Sequence, residues 1–412
     1  MRLSSPDPRR PSLTTVELIA MVGGLMALNA LSIDILLPAL SEIGAALGAE
    51  GNHRQLVITA YVFGFGLAQL GFGPLSDALG RRAVLLWSLA AYLLATVLCL
   101  LAQDMWWMFI ARFLQGVAAA ATRVIAVAVV RDLVSGRRMA EIMSFAMTVF
   151  MVAPIIAPSI GQGVLMIATW PWIFVVLMVM SAILSVWMIV RLPETLPVEH
   201  RIELSVRAAA RNYILAAANR CSAGYIVAAS LIFGALFAFI ATSEQVLDEL
   251  YGLEAYFPLA FGAVAIGLAI ANIINARIVG KLGMRRITHA ALIAFLIINI
   301  VHLIIAQAGL PPFWLYFSLL SAAMVLFAMM GANFSALVME PAGERAGTAA
   351  ALYGAMSSMS GAVLGSMIGQ AFDGTVLPLL IGYVALGAAS LIVVFWTEHG
   401  KLFGTGEASP GE

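Results

Sequence analysis

Apolar residues in this chain gather into long blocks separated by short polar or glycine-rich stretches, and the blocks are too long for the core helices of a water-soluble domain. A helix that crosses a bilayer needs about 20 mostly apolar residues, with Gly, Pro and an occasional polar group tolerated. Twelve blocks meet that requirement: 16–40, 55–73, 83–102, 105–129, 139–164, 172–190, 222–243, 257–279, 287–307, 313–338, 346–370 and 376–396. The pattern predicts an all-α integral membrane protein of twelve transmembrane helices. The first block follows a polar, basic stretch, as a secretory signal would, but it continues to Pro38 and reads as an uncleaved first span.

Composition then removes whole classes of function. Of 412 residues, 62% are hydrophobic and 11% charged, against roughly 25% charged in a soluble domain. A net charge of zero excludes a generally basic nucleic-acid binder, and the two lysines, Lys281 and Lys401, sit in no G-x-x-x-x-G-K-[ST] phosphate loop. Cys99 and Cys221 supply neither a disulfide framework nor a Cys-based metal site, and no cofactor is implied. No H-E-x-x-H and no Ser-His arrangement points to an enzyme.

Charge placement sets orientation. With the N-terminus inside, 19 of the 22 Lys and Arg residues fall on the inner side, only Arg54 lies outside, and Arg112 and Arg123 lie within the fourth span. Both termini are therefore expected in the cytoplasm. The one long loop divides the chain into an N-terminal six-helix bundle (1–192), a cytoplasmic linker (193–221) and a C-terminal six-helix bundle (222–412). Within the linker, 203–218 reads equally as an amphipathic helix on the inner surface or as a tether. The halves look alike: Gly73-Pro74-Leu75-Ser76-Asp77-Ala78-Leu79-Gly80-Arg81-Arg82 follows the second span, and Gly280-Lys281-Leu282-Gly283-Met284-Arg285-Arg286 follows the eighth. The second copy has lost the acid.

Charged residues inside spans are costly and generally face a bundle interior with a partner. Asp34 lies about 7 Å from the outer end of the first span and Arg112 about 10 Å from the same side of the fourth, at 1.5 Å per residue. The matching depths suggest a shared cavity, in which a carboxylate can trade its attraction to the cation for a proton; a static ion pair that fixes packing is the alternative. Arg123, nearer the inner end, can snorkel. In the loop 73–82, Gly73 and Gly80 suit a tight turn, Asp77 can cap the next helix or pair with a cation, and Arg81 and Arg82 reach the inner surface, together suggesting a gate. Pro154 and Pro158, with Gly161 after them, bend the fifth span and offer a hinge. Gly361, Gly365 and Gly369 let another helix approach closely. Among polar groups within spans, Asn29, Tyr61, Gln115, Asn272 and Asn333, with Glu244 at the outer end of the seventh, are candidates for a substrate cavity; Asn275, Asn299 and His302 need partners or water too.

Twelve spans in two halves with the motif at 73–82 resemble the major facilitator superfamily, although Ala78 stands where a basic residue is usual. Arg112-Phe113-Leu114-Gln115-Gly116 is similar to the superfamily's fourth-span motif, and 154–162 to its fifth-span antiporter motif, with Ala153, Ala157 and Gln162 in place of glycines. Ser32-Ile33-Asp34, Leu37-Pro38-Ala39-Leu40, Arg131-Asp132, Pro193-Glu194-Thr195-Leu196-Pro197 and Ala346-Gly347-Thr348-Ala349 resemble the Bcr/CflA drug-resistance transporters. The resemblance implies a multi-pass protein of the bacterial inner membrane, a functional monomer that exports apolar or cationic small molecules in exchange for protons, with Asp34 and Arg112 as the coupling pair. The alternative is a proton symporter or a uniporter of one metabolite, such as a sugar, amino acid or siderophore.

Overall fold

The computed structural model describes residues 13–404, so Arg2, Arg9 and Arg10 of the charge count and both chain ends lie outside the described residues. The described residues are helical with no strand, and twelve of their helices are long and apolar enough to cross a membrane. They divide into two compact units, 13–209 with 257–262, and 210–256 with 263–404.

In the first unit α1 spans Thr15–Asp34, α2 Leu40–Leu47, α3 Leu56–Leu79, α4 Arg81–Leu100, α5 Met105–Leu133, α6 Gly136–Leu165 and α7 Pro171–Arg191. The Thr14 hydroxyl caps α1 by accepting from Glu17 N–H (3.1 Å), and the Asp104 carboxylate caps α5 by accepting from Trp107 N–H (2.8 Å). Beyond α8 (Val206–Ala217) come α9 (Arg220–Gln245), α10 (Phe257–Leu282), α11 (Met284–Gln307), α12 (Phe313–Met339), α13 (Ala346–Gln370) and α14 (Leu377–Thr397). α8 falls inside the amphipathic segment read from the linker; Val206 and Ile214 are exposed on it alongside Arg207 and Arg211.

The repeat is visible in the packing of each unit. α1 packs on α5, α6 and α7, and α4 on α5 and α7; α9 packs on α12, α13 and α14, and α11 on α12 and α14. The glycines of α13 behave as the small-residue spacing requires: a Cβ on Gly361 would meet the Phe237 ring at 2.5 Å, and one on Gly365 the Phe237 backbone at 2.7 Å. α3 also lies tightly on α5, because Gly64 faces the carbonyl of Phe113 and Gly116 that of Tyr61. The corresponding pair, α10 and α12, makes no such close approach.

Two boundaries differ from the sequence reading. The first span is not one helix to Leu40. Pro38 has no N–H for the carbonyl of Asp34, and Ala39 N–H turns to Leu36 O (2.9 Å), so α1 stops at Asp34 and a 3₁₀ turn at Leu37–Ala39 leads into α2. Nor is Gly73 a turn. α3 runs through Gly73 and Pro74 to Leu79, and the reversal is made by Gly80 alone (φ 100°, ψ 148°), a conformation essentially restricted to glycine. Gly283 makes the same reversal in the second unit (φ 82°, ψ 149°).

Candidate functional site

Arg112 lies on the face of α5 turned to α1 and α3 and is completely buried. Its guanidinium reaches three acceptors: Nε donates to Val57 O (3.1 Å), Nη1 to Gln115 Oε1 (2.6 Å) and Nη2 to Ser32 O (2.9 Å). Its Cζ also sits 4.4 Å from the centre of the Tyr61 ring. Ser32 belongs to the last turn of α1, where carbonyls lack helical donors and the helix end carries partial negative charge. The cation thus closes the end of α1 with a planar fork, a geometry that lysine lacks.

The network continues through neutral groups. Tyr61 Oη donates to Asn29 Oδ1 (2.9 Å), and Gln115 Nε2 donates to Thr96 Oγ1 (2.8 Å), which donates to Tyr92 O (2.7 Å). Because Ser32 Oγ donates to Leu28 O (2.6 Å), its 2.6 Å bond to Tyr92 has the tyrosine as donor. The structure therefore joins four residues singled out from sequence, Asn29, Tyr61, Arg112 and Gln115. It adds Ser32, Tyr92 and Thr96, whose small hydroxyls gave no separate signal beyond the adjacency of Ser32 to Asp34.

Asp34 is the residue the expected pairing does not reach. It is 5% exposed at the end of α1, and among the described residues it makes neither a hydrogen bond nor an ion pair. No ion pair joins it to Arg112, because Arg112 is engaged by carbonyl and amide oxygens instead. What does approach this turn is α6: a Cβ on Gly161 would overlap the carbonyl of Ile35 and meet Pro38 Cγ at 3.0 Å. Pro154 and Pro158 lie inside the same continuous helix. The fifth-span motif and Asp34 are thus brought to one place.

At the other end of the unit, the turn at Gly80 is the centre of a second network. Arg81, 2% exposed, pairs with Asp77 (2.5 Å) and Asp132 (3.1 Å) and donates to Ser76 Oγ (2.6 Å). Glu194 accepts from the N–H groups of Arg81 (2.8 Å) and Arg82 (3.3 Å), supplying from after α7 the cap that Gly80 cannot give α4. Arg82 donates to Leu192 O and Ile189 O, both at 2.9 Å, and Thr195 Oγ1 to Asp132 Oδ2 (3.1 Å). The residues 131–132 and 193–197, far apart in sequence, converge here on the motif 73–82.

The second unit rebuilds this network with other acids. Arg285 pairs with Glu340 after α12 (2.7 Å) and Glu398 after α14 (3.0 Å); in the first unit Arg81 pairs with Asp132 in the last turn of α5, and Glu194 after α7 accepts from backbone N–H groups. The remaining candidates scatter. Asn333 and Asn275 bond to each other (2.9 and 3.3 Å), while Asn272 bonds to Leu268 O of its own helix (3.1 Å) and is half-buried. Glu244 is buried in the last turn of α9, ahead of a π-helical turn at Val246–Leu250, a local form frequent at functional sites.

A repeated six-span unit with an ion network at one end, and in the first copy a buried cation in its interior, is the architecture of a helical membrane transporter. The Major Facilitator Superfamily profile matches residues 22–366, and the chain belongs to that family. It is 32% identical over 86% of its length to the "Uncharacterized MFS-type transporter YdgK" of Bacillus subtilis, covering 89% of that protein. It is 28% identical over 94% of its length to the "Bicyclomycin resistance protein homolog" of Haemophilus influenzae, covering 98% of it. Among solved structures, a bacterial homolog of the human lysosomal transporter Spinster, in an inward-facing and occupied conformation, aligns over 95% of this chain and 98% of its own with a TM-score of 0.71 at 13% identity. The nucleoside transporter NupG (D323A mutant) aligns over 93% and 99% with a TM-score of 0.70, also at 13% identity. The protein is thus a multi-pass transporter of small molecules, and its family and relatives are transporters rather than enzymes.

Proposed function

We propose that the chain is a Bcr/CflA-type antiporter that exports apolar or cationic small molecules across the bacterial inner membrane in exchange for protons, by alternating access. One observation carries this reading: a buried carboxyl group without a partner, Asp34, stands two residues from the carbonyl that holds the buried Arg112. When Asp34 gives up its proton, the carboxylate competes with the Ser32 carbonyl for Arg112, and a charge-assisted bond is roughly twice as strong as a neutral one. Moving the guanidinium releases the end of α1 from α3 and α5, so proton binding and helix position become linked. A cationic substrate acts on the same carboxylate. Two relatives, named for bicyclomycin resistance and multidrug resistance, support drugs as the cargo. The motif at 73–82 serves as the inner gate, the proline pair of α6 as its hinge, both termini lie in the cytoplasm, and the monomer is the working unit.

Proteoliposomes carrying the purified chain, given an imposed pH gradient and a fluorescent lipophilic cation, test this directly. Gradient-driven transport should be lost in Asp34→Asn while the melting temperature stays close to the parent. Full transport by the variant removes Asp34 from coupling, and movement of one metabolite but no drug transfers the chain to the symporter or uniporter class.

A further inference from the structure

The third and fourth spans of each unit share a buried seam, and the two seams carry different chemistry. Counting from the turn glycines Gly80 and Gly283, Tyr92 corresponds to Phe295, Thr96 to Asn299 and Cys99 to His302. Counting from Met105 and Phe313, which open α5 and α12, Arg112 corresponds to Leu320 and Gln115 to Ala323. All ten residues of these five pairs are buried. In the first unit Thr96 is engaged by Gln115, and Gln115 by Arg112. In the second, Leu320 and Ala323 offer no polar atom to the seam.

The polar atoms of the second seam are left without protein partners. Among the described residues both ring nitrogens of His302, Oδ1 of Asn299 and the hydroxyl of Tyr383 on α14 are buried with no hydrogen bond, while Asn299 Nδ2 donates to Phe295 O (2.8 Å). Asn299 and His302 lie one turn apart on α11. The His302 ring packs edge-on to Tyr316 (5.3 Å between centres), Phe295 packs on Tyr383 (5.9 Å), Tyr316 and Tyr383 are electrostatic neighbours, and Asn299 lies between Phe295 and His302 along α11. An imidazole has at least one N–H to donate and, when neutral, one lone pair to fill, and buried polar groups of this kind are met by protein or by ordered water. The next buried residue of α11 toward the exposed Gln307 is Ala306, which brings only a methyl group to that end of the seam.

We propose that Asn299, His302, Tyr316 and Tyr383 enclose a hydrated pocket, a site for water and a proton, in which His302 exchanges protons with the solution at the Gln307 end of α11. Among the described residues the groups facing it are Tyr316 from α12, Tyr383 from α14 and, beyond Tyr316, Tyr251 after α9, whose hydroxyl donates to Pro311 O (2.9 Å). No carboxylate and no cation acts on the ring. The pocket uses second-unit residues only and stands whether or not Asp34 couples transport to protons.

Proton-detected solid-state NMR of the full chain, histidine-labelled with ¹⁵N and embedded in lipid bilayers, tests the site; His302→Gln assigns the resonance. The ring N–H should show cross-peaks to water and exchange with deuterated buffer. Ala306→Leu, which closes the end of the seam, should slow that exchange by on the order of tenfold and leave the other histidines unchanged, so it identifies the resonance even if His302→Gln does not fold. A ring proton that survives prolonged exposure to deuterated buffer and never shows a water cross-peak overturns the proposal, as does exchange that Ala306→Leu leaves untouched.

Discussion

Replacing Gly116 with alanine should break the packing of the first unit, whereas the same change at Gly163 should strengthen it. A Cβ on Gly116 would overlap the Tyr61 carbonyl oxygen, with the carbonyl carbon at 2.8 Å and Phe65 N at 3.0 Å. Carbon atoms rest at about 3.5–4.0 Å, so α3 must retreat by about an ångström, and a gap of that size forfeits a quarter to a half of each contact across it. Tilting gives no escape, since Gly64 already presses on the Phe113 carbonyl from the other side. Overpacking of this kind costs about 1–3 kcal/mol, and displacing Tyr61 from Arg112 costs about 1–2 kcal/mol more at a desolvated cation–π contact. Alanine returns about 1 kcal/mol through helix propensity, leaving a net loss of about 1–4 kcal/mol. Gly163 is exposed on α6 with nothing within 4 Å, so only the propensity gain applies there. Thermal unfolding in mild detergent, followed with a thiol-reactive fluorophore in a Cys221→Ser background, reads the first unit through the buried Cys99. Equal melting temperatures for Gly116→Ala and Gly163→Ala would refute the close approach of α3 and α5.

Other substitutions probe the remaining networks. Gly80→Ala forces a side chain into a glycine-only conformation, at about 1–3 kcal/mol, and sets its Cβ 2.5 Å from Glu194 Oε2; a melting temperature no lower than the parent's would contradict that geometry. Glu194→Gln keeps an acceptor but removes the charge at the start of α4, so it should cost about 0.3–1 kcal/mol at this partly exposed site, and less in high salt. Asn333→Leu strands the amide of Asn275, at about 1–3 kcal/mol, whereas Asn275→Leu with Asn333→Leu removes both partners and should recover most of the loss. A double variant less stable than the single one would show that the pair does more than satisfy itself.

The twelve spans were legible because a bilayer imposes a length and a polarity that few other structures satisfy, and Arg112 was legible as a buried, bonded group because a charge in hydrocarbon is rare. Its partner was not. The sequence offered Asp34 as the obvious counter-charge, but the fork is met by carbonyls of Ser32 and Val57, and backbone oxygens leave no mark in a sequence. The break that exposes Ser32 O did leave one: Pro38 falls four residues after Asp34, where its missing N–H ends the ladder of α1. The motif at 73–82 misled differently. Gly73-Pro74 reads as a turn in water, yet it stays helical here and the reversal waits for Gly80. Glu194 as the cap of α4 required knowing that α7 ends beside α4, which is tertiary information.

The two units show which parts of the repeat must be kept and which are open to specialisation. At the turns after α3 and α10 both units hold a cation with acids from the ends of their fourth and sixth spans, although the bonding differs: Asp132 pairs with Arg81 while Glu194 accepts from its backbone N–H, and Glu340 and Glu398 both pair with Arg285. There each cation lies at a helix end and is met by two acids, which offsets its desolvation, so an ion network can hold three helices in register. In the interior that penalty is severe, and a cation survives only where its work outweighs it. The first unit retains Arg112 beside Asp34; the second has Leu320 and Ala323 in the places of Arg112 and Gln115 and leaves His302 and Asn299 on the seam. Symmetric ends with asymmetric interiors place a buried cation in the first unit and the proposed neutral, hydrated pocket in the second.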